Sequence, residues 1–176
     1  MRAWAGCARV VDLLDADLDA GAILLAGIVP GTPLRGRELP LAEVGELLVE
    51  LASVPAPVGV FPTLAERVNL IFDLARRSRH IPRDRLASSR KAALALAADG
   101  PRMLLHGDLH PGNVLDGAAG IVAIDPRPCV GDPAFDAVDW AIRSDPAIFP
   151  ALPAGRVRAW CEALAVLFEF SSTPRS

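Results

Sequence analysis

The sequence has no close cysteine pair, no long apolar run, no basic excess and only one lysine, and each gap narrows what the chain can be. Cys7, Cys129 and Cys161 are scattered. An odd number without C-x-x-C spacing gives neither a disulfide framework nor a zinc knuckle, so they read as incidental thiols of a reducing compartment. No stretch approaches the roughly 20 uninterrupted apolar residues of a membrane span. Arg2 is followed by no continuous apolar run or clean cleavage site, so no secretory leader is expected. A formal charge of −3 lacks the basic stripe that a sequence-independent nucleic-acid binder uses to replace counterions. The expected protein is cytoplasmic and binds neither nucleic acid nor membrane.

What is present suffices for a domain. Hydrophobic residues make up 52% of 176, although alanine, which buries little area, inflates that share. Val10–Leu14 and Ala22–Leu25 are short runs rich in branched residues around an acidic, glycine-ended turn, and predict a β-hairpin. Pro30, Gly31 and Pro33 predict a connector over Ile28–Gly36. From Pro40 the period becomes helical: Val44, Leu47, Leu48 and Leu51 follow the i, i+3, i+4, i+7 rule until Pro55. Thr63, with Glu66 three residues on, predicts a capped helix whose stripe is Leu64, Val68, Ile71 and Ala75. Arg76, Arg77 and Arg79 read as its solvated C-terminal end, where cations suit the helix dipole.

A third helix is expected from Arg83 to Ala98. Short strands follow at Met103–Leu105, Val114–Leu115 and Ile121–Ile124, then a helix from Pro133 to Arg143. Val157, Trp160, Cys161, Leu164, Leu167 and Phe168 mark a last helix, with a frayed tail from Ser171. The order, hairpin, helices, short strands and helices again, predicts a mostly helical α+β fold.

Between Leu105 and Asp125 the chain turns polar where its neighbours are hydrophobic: Leu105-His106-Gly107-Asp108-Leu109-His110-Pro111-Gly112-Asn113-Val114-Leu115, then Ile121-Val122-Ala123-Ile124-Asp125. Two carboxylates and a carboxamide thus stand at the rims of short apolar strands, where a ligand can reach them. Phosphoryl transfer needs a proton acceptor for the nucleophile and a divalent metal to neutralise phosphate charge. Asp108 can serve as acceptor. Asn113 and Asp125 offer one neutral and one charged oxygen, a set suited to Mg²⁺, which takes few ligands from protein. Asp132 and Asp136, near a helix start, read as structural anchors, and Trp140 and Trp160 as core. His110 could face substrate or cap the loop.

The stretch H-G-D-L-H-P-G-N-V-L, followed by I-D-P, resembles the catalytic loop and metal-binding segment of the aminoglycoside phosphotransferases, relatives of the protein kinases with their H-R-D-x-x-x-x-N loop. His106, Asp108 and Asn113 match that loop, and Asp125 matches the Asp of D-F-G. Pro126-Arg127 departs from Phe-Gly. Gly131 to Pro133 and Asp136 also resemble that family, and within it the early R-A-W, L-L-D-A-D and P-G-T-P-L are most similar to streptomycin and hydroxyurea phosphotransferases. The resemblance implies a kinase-like C-terminal lobe over residues 30–170, preceded in 1–29 by the last hairpin of an N-terminal lobe and a hinge, with a disordered tail at 171–176. It implies transfer of the γ-phosphoryl of ATP, with Mg²⁺, to an alcohol of a small molecule such as streptomycin. Asp108 would be the base, Asn113 and Asp125 the metal ligands, and hinge residues Ala26 and Ile28 the nucleotide contacts. His106 would brace the loop.

Such enzymes carry a phosphate-covering loop and a strand lysine in the N-terminal lobe. Neither is found before the hairpin, where there is no lysine, and the expectation is a truncated chain. Two rivals remain open: a remnant that binds ligand without turnover, and a metal-dependent hydrolase using His106, Asp108, His110 and Asp125.

Overall fold

The computed structural model describes residues 2–38, 40–77, 80–142, 144, 145, 147 and 149–169. Its N-terminal strands differ from the expected pair. β1 spans Leu13–Asp17 and β2 spans Ala22–Leu25, antiparallel to each other. Val10 and Val11 leave the hairpin and are buried. The Ala123 N–H donates to the Arg9 carbonyl at 2.8 Å, and the Val11 N–H to the Ala123 carbonyl at 3.1 Å. Two adjacent branched residues gain more by entering the main core than on a ribbon open to water. The hairpin itself stays wet: Leu14, Ile23 and Leu24 keep 59–60% of their surface exposed.

The expected connector contains a strand. β3 (Pro30–Pro33) pairs antiparallel with β5 (Val114–Gly117), which pairs with β6 (Gly120–Ala123) in the order β3-β5-β6. Proline is tolerated because β3 is an edge strand, and the same prolines hide the strand from a reading of composition.

Helix α1 (Leu41–Ser53) buries Val44, Leu47, Leu48 and Leu51, the four positions its period marks. Helix α2 (Leu64–Ala75) opens on the expected capping box: the Glu66 N–H donates to Thr63 Oγ1 at 3.2 Å, and the Thr63 N–H to Glu66 Oε2 at 2.7 Å. Phe72 joins Leu64 and Val68 in its buried face, while Ile71 and Ala75 are half-buried. Arg76 and Arg77 are exposed at its end; Arg79 lies outside the described residues. Helix α3 covers Arg83–Ala98, as the sequence predicts.

A second small sheet pairs β4 (Met103–Leu105) with β7 (Cys129–Gly131), a strand of three residues too short to leave a periodic trace. The helix expected from Pro133 divides into a 3₁₀ turn, Pro133–Phe135, and α4, Val138–Ala141; Arg143 lies outside the described residues. The division falls at Asp136, whose side chain turns inward, as described below. Helix α5 (Ala154–Glu169) closes the lobe, and the tail from Ser171 lies outside the described residues. Trp140 and Trp160 are core residues, Trp160 meeting Phe135 edge to face at 5.3 Å.

The architecture is α+β and mostly helical. Trp4 and Val10 belong to the same core cluster as the helices, whereas the strands β1 and β2 contribute no residue to it. No described helix is long and apolar enough to cross a membrane.

Candidate active site

The loop between β4 and β5 carries Asp108 and Asn113, and the end of β6 leads through Ile124 to Asp125. Backbone bonds tie these segments together: the Ile124 N–H donates to the Asn113 carbonyl at 2.9 Å, and the Arg127 N–H to the His106 carbonyl at 2.8 Å. The loop closes on itself through the Asn113 N–H to the His110 carbonyl at 2.8 Å.

His106 is fully buried and both ring nitrogens are engaged. Nδ1 accepts the Asp108 N–H at 3.3 Å, so Nε2 carries the proton and donates to the Ile124 carbonyl at 3.0 Å. Burial drives its pKa down to about 4, against the opposing pull of that carbonyl bond. A neutral ring locked between two backbone groups is a brace, not a base.

Asp136 supports the same loop from behind. It is buried, and its oxygens accept the His106 N–H at 2.7 Å and the Gly107 N–H at 2.9 Å. Burial pushes this carboxyl up to about 7, opposed by the two N–H donors. Gly107 has φ +76°, and a Cβ there would collide with the Arg127 carbonyl. Trp140 Nε1 donates to the Leu109 carbonyl at 2.8 Å, so this core residue also holds the loop. Asp132 caps the 3₁₀ turn through the Ala134 N–H at 3.0 Å and receives Trp160 Nε1 at 2.8 Å and Arg156 Nε. His110 Nδ1 accepts the Gly112 N–H at 3.0 Å, which makes it a loop cap.

With its backbone fixed, the loop presents Asp108 to a cavity of about 220 Å³. Ile71, Phe135, Leu164 and Leu167 form the apolar wall, and Asp136 and Asp139 the acidic side. Arg67 of α2 enters the same space and pairs with Asp108, Nη2 to Oδ1 at 3.3 Å. Helical periodicity places Arg67 beside Leu64 and Ile71 at the edge of the apolar stripe but names no partner for it.

Asp125 faces a different cavity, of about 350 Å³, lined also by Ala26, Ile28, Val11, Leu115 and Ile124. The Ala26 N–H is committed to the Asp12 carbonyl at 2.9 Å. That leaves the Ala26 carbonyl as its polar group for a ligand. Asp125 has φ +50°, the one described non-glycine residue in the left-handed region, where aspartate is better tolerated than most. Its carboxylate is largely exposed, 3.7 Å from Arg127.

Asn113 Nδ2 donates to the Asp108 carbonyl at 3.0 Å, which turns Oδ1 free as a neutral hard donor. Asn113 and Asp125 thus offer one neutral and one charged oxygen, the type of donor that Mg²⁺ takes from protein. Among the described residues no three His, Cys, Asp or Glu side chains gather into a metal cluster. His106 has both ring nitrogens engaged and His110 its Nδ1, and Asp108 and Asp125 face different cavities, an arrangement that does not favour the hydrolase reading. Burial raises the Cys129 thiol to about 12, so it is inert.

Comparison with known proteins gives the family and the fold. The family model described as phosphotransferase enzyme family matches residues 4–170. A hydroxyurea phosphotransferase of Kitasatospora aureofaciens is 37% identical over 148 residues, 77% of this chain and 43% of that protein. A streptomycin 6-kinase of Streptomyces griseus is 32% identical over 179 aligned positions, 95% of this chain and 54% of that one. The chain thus spans about half the length of the curated relatives it matches. Among solved structures, an aminoglycoside phosphotransferase of Streptomyces rimosus in complex with ADP and streptomycin superposes with a TM-score of 0.61 at 20% identity, over 92% of this chain and 77% of that one. A choline/ethanolamine kinase family protein of Mesorhizobium loti gives 0.58 at 19%, over 99% and 60%. These likenesses assign a kinase-like fold. With the matched model covering nearly the whole chain, the protein belongs to the phosphotransferase enzyme family.

Proposed function

We propose that this chain moves the γ-phosphoryl of ATP to an alcohol of a small molecule, with an aminocyclitol such as streptomycin as the first acceptor to test. One observation carries the reading: a single braced loop separates two cavities, Asp108 facing one and Asp125, with Ala26 and Ile28, lining the other. The acceptor would occupy the first and the nucleotide the second. The Ala26 carbonyl and the Ile28 N–H would meet the edge of the adenine. Residues 1–29 would then serve as hairpin and hinge, and 30–170 as catalytic lobe.

Asp108 orients the acceptor O–H and takes its proton as the acceptor oxygen bonds to the γ-phosphorus. The bond from that phosphorus to the β–γ bridging oxygen breaks, and ADP departs. His106, Asp136 and Trp140 keep Asp108 in place by holding the backbone of its loop. Mg²⁺ held by Asn113 and Asp125 would supply neutralisation of phosphate charge.

A second reading, ligand binding without turnover, draws on the chain's one lysine: Lys91 is exposed on α3 and lines neither cavity. Calorimetry with Mg²⁺ and ATP, followed by ADP release with streptomycin, separates the two. Asp108→Asn should abolish transfer, on the order of 10²–10⁴-fold, and spare nucleotide affinity. Binding without transfer in the parent chain would select the second reading; loss of both on Asp108→Asn would make Asp108 structural.

A further inference from the structure

We propose that Arg67 is a positioning residue for the proton acceptor: its guanidinium fixes the Asp108 carboxylate against the acceptor cavity. The inference rests on the phosphotransfer reading above. Arg67 Nε donates to the Gly107 carbonyl at 3.0 Å, while Nη2 stands 3.3 Å from Asp108 Oδ1. One guanidinium therefore meets two consecutive loop residues, through a hydrogen bond to the backbone of the first and an ion pair with the carboxylate of the second. Its planar, delocalised charge can engage both at once, which the point charge of an ammonium does less well. With Oδ1 held, Oδ2 is the oxygen left for the acceptor hydroxyl.

The grip starts from a rigid base. Arg67 lies one residue after Glu66 of the capping box, and its side chain is only 14% exposed. The N-terminus of α2 is fastened to β7, since the Val130 N–H donates to the Pro62 carbonyl at 2.9 Å. Gly131 has no Cβ, which lets the Leu64 side chain close against that strand. A guanidinium held by such an element loses little further entropy on binding the loop. Among the described residues it is the one arginine or lysine lining the acceptor cavity, beside the carboxyls of Asp108, Asp136 and Asp139. During transfer the proton moves from acceptor to Asp108, and Arg67 stays protonated throughout.

The test compares the full chain with Arg67→Gln and Arg67→Lys. One readout needs no turnover: the carboxyl-carbon resonance of Asp108 at fixed pH, assigned by its loss in Asp108→Asn. The other is transfer from Mg²⁺-ATP to streptomycin or, separately, to hydroxyurea. Arg67→Gln should move the resonance and lower kcat by roughly 10- to 100-fold, with the nucleotide KM within about twofold. Arg67→Lys should bring both partway back. An unmoved resonance overturns the proposal, and so does wild-type kcat in Arg67→Gln. Equal loss in both variants with a rising nucleotide KM also overturns it, because that pattern marks a structural tie. If the parent chain transfers to neither acceptor, the phosphotransfer reading falls, and the resonance alone decides whether Arg67 holds Asp108.

Discussion

Asp136 holds the His106 backbone from beneath, Oδ2 accepting its N–H at 2.7 Å, while its other oxygen takes the next N–H, of Gly107, at 2.9 Å. Two acceptor oxygens face two donors in a buried site. An amide cannot reproduce that arrangement, since its NH₂ group would confront a backbone N–H. Asp136→Asn should therefore cost about 1–3 kcal/mol in urea unfolding, the penalty of one unsatisfied buried donor. Transfer should fall as well, because Asp108 is the next residue along. Unchanged stability would mean that the loop does not depend on this grip.

Asp132 ties distant parts of the lobe together. Its carboxylate receives Arg156 Nε and Trp160 Nε1, and Arg156 Nη2 goes on to the Leu96 carbonyl at 2.7 Å. Asp132→Ala would leave half-buried Arg156 with Asp99, at 3.6 Å, as its remaining acidic partner, and Trp160 with an orphaned buried donor. The expected loss is about 1–3 kcal/mol, the range for an unsatisfied buried polar group. Replacing both, as Asp132→Ala with Arg156→Met, should cost less than the single change. Denaturant midpoints of the three variants check that ordering.

Much of this was legible in the sequence because the signals were local. The stripe of α1, the Thr63–Glu66 box and the span of α3 depend on residues within a few positions of one another. Asp108, Asn113 and Asp125 stood out as polar residues at the ends of apolar runs. What stayed hidden depends on distant partners. The edge strand β3 exists because β5 is beside it, and its prolines and glycine read as a connector. Val10 and Val11 follow Ala123, not the hairpin. The contact from Arg67 to Asp108 crosses about 40 residues of chain, and no period on α2 encodes it.

On the proposed reading Asn113 has two duties that one substitution removes together. Its Nδ2 is tied to the Asp108 carbonyl, and Oδ1 would serve as a donor for the metal. In Asn113→Ala, magnesium-dependent ATP affinity should fall by about 10- to 100-fold, in line with the loss of metal-site partners elsewhere. Nucleotide binding measured in chelator should change little, since the proposed hinge contacts of Ala26 and Ile28 would remain. Calorimetry with and without Mg²⁺ gives both numbers, and an equal loss in the two conditions would remove Asn113 from the metal site.

The two buried titrating groups behind the loop oppose each other in pH dependence. His106 has its folded pKa lowered by burial from 6.5 to about 4. Between those values the unfolded chain binds the extra proton, so this term adds stability as pH rises and loses it as pH falls through the folded value. For Asp136 burial raises the folded pKa from 3.8 to about 7. Here the folded chain holds the extra proton, and the stability it brings is lost as pH rises through that window. From about pH 4 to 6.5 the slopes cancel, each at most about 1.4 kcal/mol per pH unit. Removing one group should expose the other. Asp136→Asn should become more stable as pH rises from about 4 to 6.5, while His106→Asn should become less stable as pH rises from about 4 to 7. Urea midpoints taken across this range decide the matter: slopes of one sign in both variants, or none in either, would show that these groups do not titrate against each other in the fold.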